Sequence, residues 1–565
     1  MRRTRYAKLS RWLLVLFLLI STGRPTMAGD DGGSRYTGKI FASRSPVLAR
    51  KGMAATSQPL ATAVAVDVLK RGGSAVDAAI ATAIALTVLE PTSNGIGSDT
   101  FAIVWDGDKL HGLNGSGRWP AASDAGALRD QGHTAMPERG WASVTVPGAP
   151  AAWQELHERF GRLSIAELTA PAIAYAEQGF PVSPVVSQLW RNAAPIFLGG
   201  DPDMAGWREV FTRDGATPVA GQRWYSPGHA ACLRALTERG FRDFYEGDVA
   251  RQIAAYADAT GGVMAAADLA AHHGEWVDPI SISYRGHDIW EIPPNGQGIA
   301  ALIALGLLAD DDMGALAHGG EQAWHLQNEA MKLAFADAYR YVADTEHAAL
   351  PIEGLLDPQY LASRRALIGD EARVPEPGRP PGSGTVYLAS ADRDGMMVSY
   401  IQSNYHGFGS GVVVPELGIS LQDRAAGFNL EPGHPNVAAP GKRPRHTIIP
   451  GFITRDGGPV GPFGVMGGEM QPQGHLQVVS SMLDHGVNPQ AALDVPRWQL
   501  MEGLDVAVEP ETDRQLLAAL AKRGHRPVVA ANRLSFGRGQ IILRLEDGGY
   551  AAGSEPRADG AAVGY

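Results

Sequence analysis

The sequence predicts an α+β protein organised around a central antiparallel sheet. Segments with helical periodicity dominate the chain before a Pro- and Gly-rich stretch at residues 373–384, RVPEPGRPPGSG, and paired strand-like runs follow directly after it. Tight turns join these paired runs, and such turns connect antiparallel neighbours. A doubly wound parallel sheet would instead need a helix between successive strands.

Most of the helices are predicted before residue 373. Gly72-Gly73 marks the end of the first helix, because glycine is the usual residue just past a helix C-terminus. The second helix, Ala75 to Leu89, is apolar almost all round and is therefore expected to be buried. Residues 140–190 are predicted to alternate strand, helix and helix. The other elements predicted in this part are helices at Leu60 to Leu69, Gln322 to Val342 and Asp357 to Ile368, and strands at Phe101 to Trp105, at Leu110 to Leu113 and in a pair around Ile280 to Ile292.

A β-hairpin is predicted directly after residue 384. The run TVYLASAD begins at Thr385, Arg393-Asp394-Gly395 forms a turn, and the run MMVSYIQS returns. Two β-prone runs on either side of Asp-Gly are typical of a hairpin. Further along, short strands are expected to alternate with helices at His475 to His485 and Thr512 to Arg523.

The composition is that of a globular protein, and it excludes some functional classes. The chain has 565 residues, of which 45% are hydrophobic and 19% charged, and its formal net charge is −11. A nucleic-acid-binding protein needs a basic face, which argues against that class here. Cys232 is the single cysteine, so no intrachain disulfide can form, and its apolar neighbours indicate a core residue rather than a nucleophile.

The first 28 residues are predicted to be a signal peptide. A basic segment, MRRTRYAKLSR, precedes an apolar run from Trp12 to Ile20, and small residues follow as far as Ala28. The apolar run is too short to span a bilayer, so an uncleaved membrane anchor is the less favoured alternative. We therefore expect a periplasmic or secreted protein with no stable membrane insertion after the signal is removed. The export route, general secretory or twin-arginine, stays open.

Thr385 is the candidate catalytic residue. It lies where the Pro- and Gly-rich stretch meets the first residue of a predicted buried strand. If the peptide bond between Gly384 and Thr385 were cut, Thr385 would carry a hydroxyl and a free α-amine, which is a nucleophile with its own base. Threonine is also common in strands, so a purely structural role is the alternative on these residues alone.

Several motifs together resemble the gamma-glutamyltranspeptidase family of N-terminal-nucleophile hydrolases. They occur in the family's order from about Ser43 to Tyr565, and they are LKRGGSAVDAAIATAIALTVLEP, NGIGSDTF, SVTVPGAPAAW, DFYEGDVARQI, TVYLASADRDG, GKRPRHTIIP and MGGEMQPQG. The resemblance implies a four-layer αββα sandwich and a proenzyme that cuts itself before the catalytic threonine. Residues 29–384 would form a large subunit and residues 385–565 a small catalytic subunit, and the two would stay associated.

The resemblance also implies a catalytic set. Thr385 aligns with the nucleophile of the family, and Gly384 with the residue before the cut. Ser403 aligns with the hydroxyl residue that hydrogen-bonds the nucleophile. Gly467-Gly468 aligns with the glycine pair whose backbone N–H groups bind the oxyanion. A plain turn is the alternative for that pair.

The residues that hold a γ-glutamyl group in classical members are replaced in this sequence. The classical carboxylate-binding arginine aligns with Ser116, and Arg118 stands two positions further on. The classical Gln and Asp that bind the α-amino group align with Arg424 and Gly427. The segment that carries a lid in classical members is also shorter, which is typical of the lid-less bacterial branch. The candidate substrate-binding residues are therefore Arg118, Asn404, Tyr405, Arg424, His446 and Thr447.

Arg424 has two interpretations that the sequence weighs evenly. A guanidinium binds carboxylates through two parallel hydrogen bonds, which favours an anionic acyl group in the substrate. A buried ion pair with Asp423 or Glu416 is the structural alternative.

We expect a self-processing amidase or acyltransferase that forms an acyl-enzyme on Thr385 and uses no cofactor. Its small-molecule substrates would be γ-glutamyl or related acyl amides, in glutathione-type hydrolysis or γ-glutamyl transfer. One alternative is a des-amino acyl amidohydrolase similar to glutaryl or cephalosporin acylases or to oxamate amidohydrolase. The second is a catalytically weak exported binding protein. His272-His273 with Glu275 fits no standard metal-binding spacing, so we expect a solvated loop there and no metal.

Overall fold

The computed structural model describes residues 43–199, 204–375 and 384–565. The predicted signal peptide, residues 1–28, and most of the Pro- and Gly-rich stretch lie outside these ranges. Within the described ranges, no helix combines the length and the apolar character needed to cross a membrane.

The strands of the described ranges form two large sheets and three small ones. Their bounds are β1 Val47–Ala49, β2 Met53–Thr56, β3 Asp99–Trp105, β4 Leu110–Gly115, β5 Phe180–Pro181, β6 Arg223–Trp224, β7 Glu275–Val277, β8 Ile280–Tyr284, β9 His287–Glu291, β10 Gly384–Ala391, β11 Met397–Tyr405, β12 Val413–Val414, β13 Ile419–Ser420, β14 Gly451–Arg455, β15 Gly458–Met466, β16 Trp498–Leu500, β17 Asp505–Val508, β18 Arg526–Val529, β19 Arg538–Arg544, β20 Tyr550–Ser554 and β21 Ala561–Gly564.

Each of the two large sheets has seven strands, and every pairing in them is antiparallel. One sheet has the order β21-β2-β10-β11-β3-β4-β7, and the other has the order β1-β20-β19-β15-β14-β9-β8. The predicted hairpin is thus confirmed as β10 and β11, and it lies at the centre of the first sheet.

The helices cover the outer faces of both sheets. Their bounds are α1 Pro59–Lys70, α2 Ala75–Leu89, α3 Ala125–Asp130, α4 Ala149–Phe160, α5 Ile165–Gln178, α6 Pro184–Phe197, α7 Ala205–Phe211, α8 Pro227–Arg239, α9 Asp243–Glu246, α10 Asp248–Ala259, α11 Ala266–Ala270, α12 Gly298–Leu307, α13 Glu321–Tyr341, α14 Ile352–Leu355, α15 Pro358–Arg365, α16 Met470–Leu483, α17 Pro489–Asp494 and α18 Arg514–Lys522.

Side-chain alternation along the hairpin separates the layers. Val386 and Leu388 pack in the core formed with α1, α2, α4 and α5, whereas Tyr387 and Ala389 lie in a core shared with Phe452 and other residues of the second sheet. The outer face of the second sheet packs on α12, α13 and α16. Because successive strand residues point to opposite faces, each sheet has a helical layer on one side and the other sheet on its opposite side. This arrangement is the four-layer αββα sandwich that the resemblance implied.

Residues from both sides of the Gly384–Thr385 bond build both sheets. In the first sheet, β10 and β11 are flanked by β2 and β3, which come from the part of the chain before residue 384. In the second sheet, β1, β8 and β9 come from that earlier part and the other strands from the later part. Separating the two parts would break the backbone hydrogen bonds between their strands in both sheets. The two parts of a chain cut at this bond are therefore expected to stay associated.

Local sequence signals explain most of the elements. Ser74 caps the N-terminus of helix α2. Its side chain accepts a hydrogen bond from the Asp77 N–H, and the Asp77 carboxylate accepts one from the Ser74 N–H. This reciprocal cap fixes the start of the helix at Ala75. One prediction is wrong. Residues 143–146, SVTV, were expected to form the strand at the start of the 140–190 segment, but they form none. Their one backbone hydrogen bond to a distant segment runs from the Val146 N–H to the Arg118 carbonyl, and the neighbouring residues do not extend it into a strand pairing.

Candidate active site

Thr385 is fully buried at the start of β10, where the ladder to β11 is irregular. Gly384 pairs with Tyr405, but Val386 pairs with Gln402, so Thr385 stands opposite two residues of β11 rather than one. This is a β-bulge, a feature that re-aims side chains beside active sites. The Thr385 Oγ1 atom lies 2.8 Å from Ser403 Oγ, within hydrogen-bond distance.

Ser403 is held by its own strand. Its Oγ accepts the backbone N–H of Tyr405 at 2.8 Å, and Tyr405 has a positive φ of 78°. A non-glycine residue in this conformation is uncommon and is found preferentially where the surrounding structure fixes it. Ser403 shares the strand face of Ile401, which packs between the two sheets. The predicted contact between nucleophile and partner hydroxyl is therefore formed within the uncut chain.

Asp99 lies opposite Ser403 in the ladder between β3 and β11. The Gly148 N–H donates to Asp99 Oδ1 at 3.0 Å, and His446 Nε2 lies 3.1 Å from Oδ2. His446 Nδ1 accepts the Ile448 N–H, so the imidazole proton is on Nε2 and is donated to Asp99. Burial raises the pKa of Asp99 to about 7, against the opposing effect of Arg424. The sequence analysis missed Asp99, although an acid at the start of an otherwise apolar strand was a signal for it.

His446 itself has both ring nitrogens engaged inside the protein. Burial, with the nearby Arg424 and Arg445, holds the pKa of His446 well below its usual range, so the ring is neutral. We therefore assign His446 to holding Asp99 rather than to direct contact with substrate.

Arg424 is a buried cation that is only partly satisfied. The residue is 1% exposed, and its Nη1 donates to Thr447 Oγ1 at 2.8 Å. The guanidinium lies over the Tyr405 ring at 4.9 Å from the ring centroid. The Nε and Nη2 atoms have no hydrogen-bond partner among the described residues. Burial lowers the pKa of Arg424 to about 10, which still leaves it charged at neutral pH.

The predicted structural alternative for Arg424 is wrong. Asp423 accepts instead from Arg139 Nη1 at 2.8 Å and also pairs with His406, while Glu416 is exposed. Neither carboxylate forms an ion pair with Arg424 in the described part of the chain. A buried cation with unused donors is costly unless a further acceptor is supplied, and a substrate carboxylate has the matching geometry.

The Gly467-Gly468 pair follows the end of β15. Both residues have positive φ, 138° at Gly467 and 60° at Gly468, and a Cβ on Gly467 would lie 3.1 Å from the Gly537 Cα. Only glycine adopts the first conformation without strain. Neither N–H donates a hydrogen bond within the described residues, whereas the Gly468 carbonyl accepts from Gln297 Nε2 at 3.0 Å. The same Gln297 nitrogen donates to the Thr447 carbonyl, which ties the pair to the Arg424 region.

Two other predicted positions are occupied in ways that limit their use. Arg118 pairs with Glu346 at 2.7 Å and with Asp344 at 3.5 Å, so its charge is already compensated. Asn404 alternates to the opposite face of β11 from Ser403, where it accepts from Ser98 Oγ at 2.8 Å. Asn404 keeps one buried donor, Nδ2, without a hydrogen-bond partner among the described residues.

The space beside the Gly427 Cα, where a side chain would stand, is filled by the backbone of Arg445. A Cβ at this position would lie 2.6 Å from the Arg445 carbonyl oxygen. The acid that pairs with the substrate ammonium in classical members therefore has no room to be restored here by a simple substitution.

A cavity of about 1110 Å³ opens beside this group of residues. Its walls include Tyr405, Gly427 and Arg445, and Arg445 is paired at 2.7 Å with Glu469, the residue that follows Gly468. The cavity is large enough for a drug-sized molecule. Thr385 and Ser403 do not line it, and Tyr405, two residues after Ser403, connects the cavity wall to the buried hydroxyl pair.

His272 and Cys232 have structural positions. His272 is buried, with burial lowering its pKa to about 3, so the predicted solvated loop is wrong for this residue, although His273 beside it is exposed. Cys232 is fully buried in the helical core, as predicted, and burial raises its pKa to about 12.

Known proteins resemble this chain over nearly its whole length. The sequence profile described as gamma-glutamyltranspeptidase matches residues 61–565. A glutathione hydrolase-like proenzyme of Bacillus subtilis (strain 168), YwrD, is 37% identical over 532 residues, covering 92% of this chain and 99% of the relative. The oxamate amidohydrolase proenzyme of Klebsiella pneumoniae is 33% identical over 534 residues, covering 91% and 98%.

The fold comparison agrees with the sequence comparison. A crystal structure of cephalosporin acylase from Bacillus halodurans superimposes with a TM-score of 0.89 and 50% sequence identity, covering 92% of this chain and 97% of that one. The family profile spans residues 61–565 of this chain, and the two relatives and the solved structure match over 97–99% of their own length. The chain therefore belongs to the gamma-glutamyltranspeptidase family.

Proposed function

We propose that this protein is a self-processing amide hydrolase or acyltransferase whose nucleophile is Thr385. The observation that carries the proposal is the buried contact of 2.8 Å between Thr385 Oγ1 and Ser403 Oγ, formed at the first residues of a central strand. A nucleophilic hydroxyl needs a neighbour that orients and polarises it, and Ser403 Oγ, itself fixed by the Tyr405 N–H, is placed to do this for Thr385.

Maturation would begin with attack of Thr385 Oγ1 on the Gly384 carbonyl. The Gly384–Thr385 amide bond breaks as an ester to Oγ1 forms, and the amide nitrogen becomes a free α-amine. Water then hydrolyses the ester and leaves a carboxylate on Gly384. Residues 29–384 and 385–565 would become the large and small subunits, which share both sheets.

Turnover would reuse the same oxygen on an external amide. The α-amine, with an unperturbed pKa of about 7.7–8.0, takes the hydroxyl proton as Oγ1 attacks the substrate carbonyl, and returns it to the leaving amine. The N–H groups of Gly467 and Gly468 are the donors available for the oxyanion. Water or an acceptor amine then releases the acyl group from the ester. The names of the relatives support an acyl-amide substrate, of the γ-glutamyl or a related type.

Substitution of Thr385 tests this proposal. Thr385→Ala should remain one chain without amidase activity, and Thr385→Ser should still cut, more slowly. At roughly 0.106 kDa per residue (59.8 kDa over 565 residues), fragments of 356 and 181 residues should have masses of about 38 and 19 kDa. Denaturing gels and N-terminal sequencing measure both. An active protein that stays in one piece, or full activity in Thr385→Ala, would contradict the proposal and favour a binding protein or another site.

A second candidate function is hydrolysis of des-amino acyl amides such as glutaryl amides. The unused Nε and Nη2 donors of buried Arg424 favour it, because this positive charge attracts a carboxylate and repels the ammonium of a γ-glutamyl group. Gly427 offers that ammonium no side chain. Comparing kcat/KM for glutaryl and γ-glutamyl amides with the same leaving group decides between the two candidates.

Export of the protein belongs to this proposal as well. The predicted signal peptide, residues 1–28, would direct the precursor to the periplasm or the medium. Cell fractionation of the tagged protein, with N-terminal sequencing of the large subunit, measures it. A protein found only in the cytoplasm with its first residues intact would contradict it.

A further inference from the structure

Three metal-ligating side chains meet in the interior, outside the group of residues around Thr385. His325, Glu329 and His525 each place one ligand atom so that all these atoms lie within 4.8 Å of one another. All three residues are buried, with exposures of 1%, 4% and 2%. Buried ionisable clusters are costly to form, so this arrangement calls for a physical reason.

The geometry follows from one helix and one loop. His325 and Glu329 are four residues apart on α13, so they lie on the same helix face. His525 follows α18 and begins the connection to β18, and its N–H donates to the Leu520 carbonyl at the end of α18. The helix supplies two ligands at fixed spacing, and the later part of the chain supplies the third.

The ring of His325 is oriented as in a metal ligand. Its Nε2 lies 2.8 Å from the Gly369 carbonyl oxygen and must donate to it, which leaves the lone pair on Nδ1. Histidines that bind metals generally donate their other nitrogen to a carbonyl or carboxylate in this way. The Nδ1 lone pair accepts a hydrogen bond from His525 Nε2, 2.9 Å away, so a metal ion bound to Nδ1 would take the place of that proton.

Hydrogen bonding inside the protein does not fully satisfy the cluster. His525 Nδ1 is buried and has no hydrogen-bond partner among the described residues.

Lys332 occupies the position of a competing cation. Its Nζ contacts Glu329 Oε1 at 2.5 Å and the Arg373 carbonyl at 2.9 Å. The other carboxylate oxygen, Glu329 Oε2, accepts the Arg373 N–H at 3.2 Å. A metal ion bound to Glu329 would displace this ammonium from Oε1.

We propose that His325, Glu329 and His525 bind a divalent transition-metal ion of the Zn²⁺ class, in competition with the Lys332 ammonium. Two imidazoles and one carboxylate suit Zn²⁺ and its neighbours rather than Mg²⁺ or Ca²⁺, which prefer oxygen ligands. The site joins α13, the segment at residues 369–373 and the loop after α18. The bound metal would therefore link the segment that leads to residue 384, together with α13 in the same prospective subunit, to the loop after α18 in the other prospective subunit.

The site can be tested on uncut Thr385→Ala protein, which keeps every ligand in one chain. The protein is produced with added ZnSO₄, desalted, and analysed for metal by inductively coupled plasma mass spectrometry. We expect about one Zn²⁺ per chain and a rise in Tm over protein stripped with EDTA. Co²⁺ substitution should give visible absorption bands. His325→Asn and His525→Gln should each weaken Zn²⁺ binding by at least about 100-fold, since even supporting residues around a metal contribute 10- to 100-fold.

Two further variants separate a metal site from a hydrogen-bonded cluster. Lys332→Met removes the competing charge, so it should tighten Zn²⁺ binding by about 10-fold or more, even if it lowers the stability of the metal-free protein. His485→Asn alters a second histidine pair, in which His318 and His485 have ring centroids 4.5 Å apart, and it should keep the full metal content.

Either of two results overturns the proposal. The first is protein that holds less than about a tenth of an equivalent of Zn²⁺ or Co²⁺ and has the same Tm with the metal and with EDTA. The second is metal content that survives both His325→Asn and His525→Gln, because the metal would then be bound elsewhere.

Discussion

Thr385 Oγ1 lies 2.8 Å from Ser403 Oγ at the point where the ladder between β10 and β11 contains an extra residue. The register that runs from Ala391 to Val386 continues to place Thr385 opposite Ser403, and the extra residue of β11 follows directly after that pair. Ser403 in turn is fixed by the N–H of Tyr405, a residue with positive φ. The candidate nucleophile therefore meets its partner at the last regular pair of the ladder, where β11 becomes irregular, before any bond is cut.

Ser403→Ala should slow both self-cleavage and turnover. A hydrogen bond of this kind contributes about 0.5–1.5 kcal/mol, which corresponds to roughly 2- to 13-fold in rate. Pulse-chase gels measure cleavage, and kcat of the mature protein measures turnover. Ser399→Ala is the matched control, because Ser399 lies on the same strand and is equally buried but bonds Tyr387 OH at 2.8 Å. Equal slowing in the two variants would show that Ser403 acts only through packing.

Gly467→Ala should lower both the stability and the kcat of the protein more than Gly457→Ala does. A Cβ there meets the Gly537 backbone, and a φ of 138° is disfavoured for alanine, so we expect a loss of about 1–3 kcal/mol in unfolding free energy. Displacing an oxyanion donor should also lower kcat by about 100-fold. Gly457→Ala is the control, since Gly457 has a φ of 75° and an added Cβ would meet nothing within 4 Å. Unchanged kcat in folded Gly467→Ala would remove the pair from the oxyanion site.

The strong local signals predicted the fold well. The helix at Ala75–Leu89 has the predicted bounds, because its cap at Ser74 and its uniformly apolar composition both act within one short segment. The hairpin β10–β11 was also predicted, because its two β-prone runs and the turn between them are adjacent in the sequence. The run SVTV was not a strand, since strand formation also needs an edge to pair with, and here Val146 meets a single carbonyl of residue 118.

Site residues that a local pattern or an aligned motif marks could be predicted from the sequence. Residues whose role depends on a contact with a distant part of the chain could not. Thr385 was identified from its place between the Pro- and Gly-rich stretch and a predicted strand, Ser403 through the resemblance, and their contact is formed. Asp99 was missed because its importance arises from Ser403 across the ladder and from His446, 347 positions away in sequence. The buried group of His325, Glu329 and His525 was missed for the same reason.

Arg424→Ala should weaken anionic acyl donors selectively. A charge-assisted hydrogen bond contributes about 1.5–3 kcal/mol, which is roughly 13- to 160-fold in kcat/KM for a glutaryl amide. Arg118→Ala should have a much smaller effect, because Glu346 and Asp344 already compensate that charge. The measurement is kcat/KM for paired glutaryl and γ-glutamyl donors on the two variants and the wild type. A large preference for the γ-glutamyl donor that Arg424→Ala leaves unchanged would mean that another residue binds the acyl group.

Asp99→Asn should change how stability depends on pH. Burial raises the folded-state pKa of Asp99 to about 7, above the unfolded value of about 3.9. The folded state therefore favours the protonated carboxyl, and this contribution is complete below about pH 4 and is lost as pH rises through about 7. The facing groups Arg424 and His446 do not change charge between about pH 5 and 8, since the pKa of Arg424 is about 10 and burial holds the pKa of His446 well below its usual range.

The matched measurement is Tm from about pH 5 to 8 for uncut Thr385→Ala protein with and without Asp99→Asn. Asparagine cannot ionise, so the stability of the variant relative to its parent should rise between about pH 5 and 7, by about 2.7 kcal/mol for about 2 pH units at about 1.36 kcal/mol per unit, and should level off above about pH 7. Asp243→Asn is the control. Burial raises the pKa of Asp243, but its ion pair with Arg239 and backbone N–H bonds outweigh burial and lower it, so that carboxylate stays ionised throughout. A Tm difference for Asp99→Asn that is as flat with pH as the one for Asp243→Asn would mean that Asp99 is already ionised at the acid end of the range, held by Arg424 and the N–H groups around it.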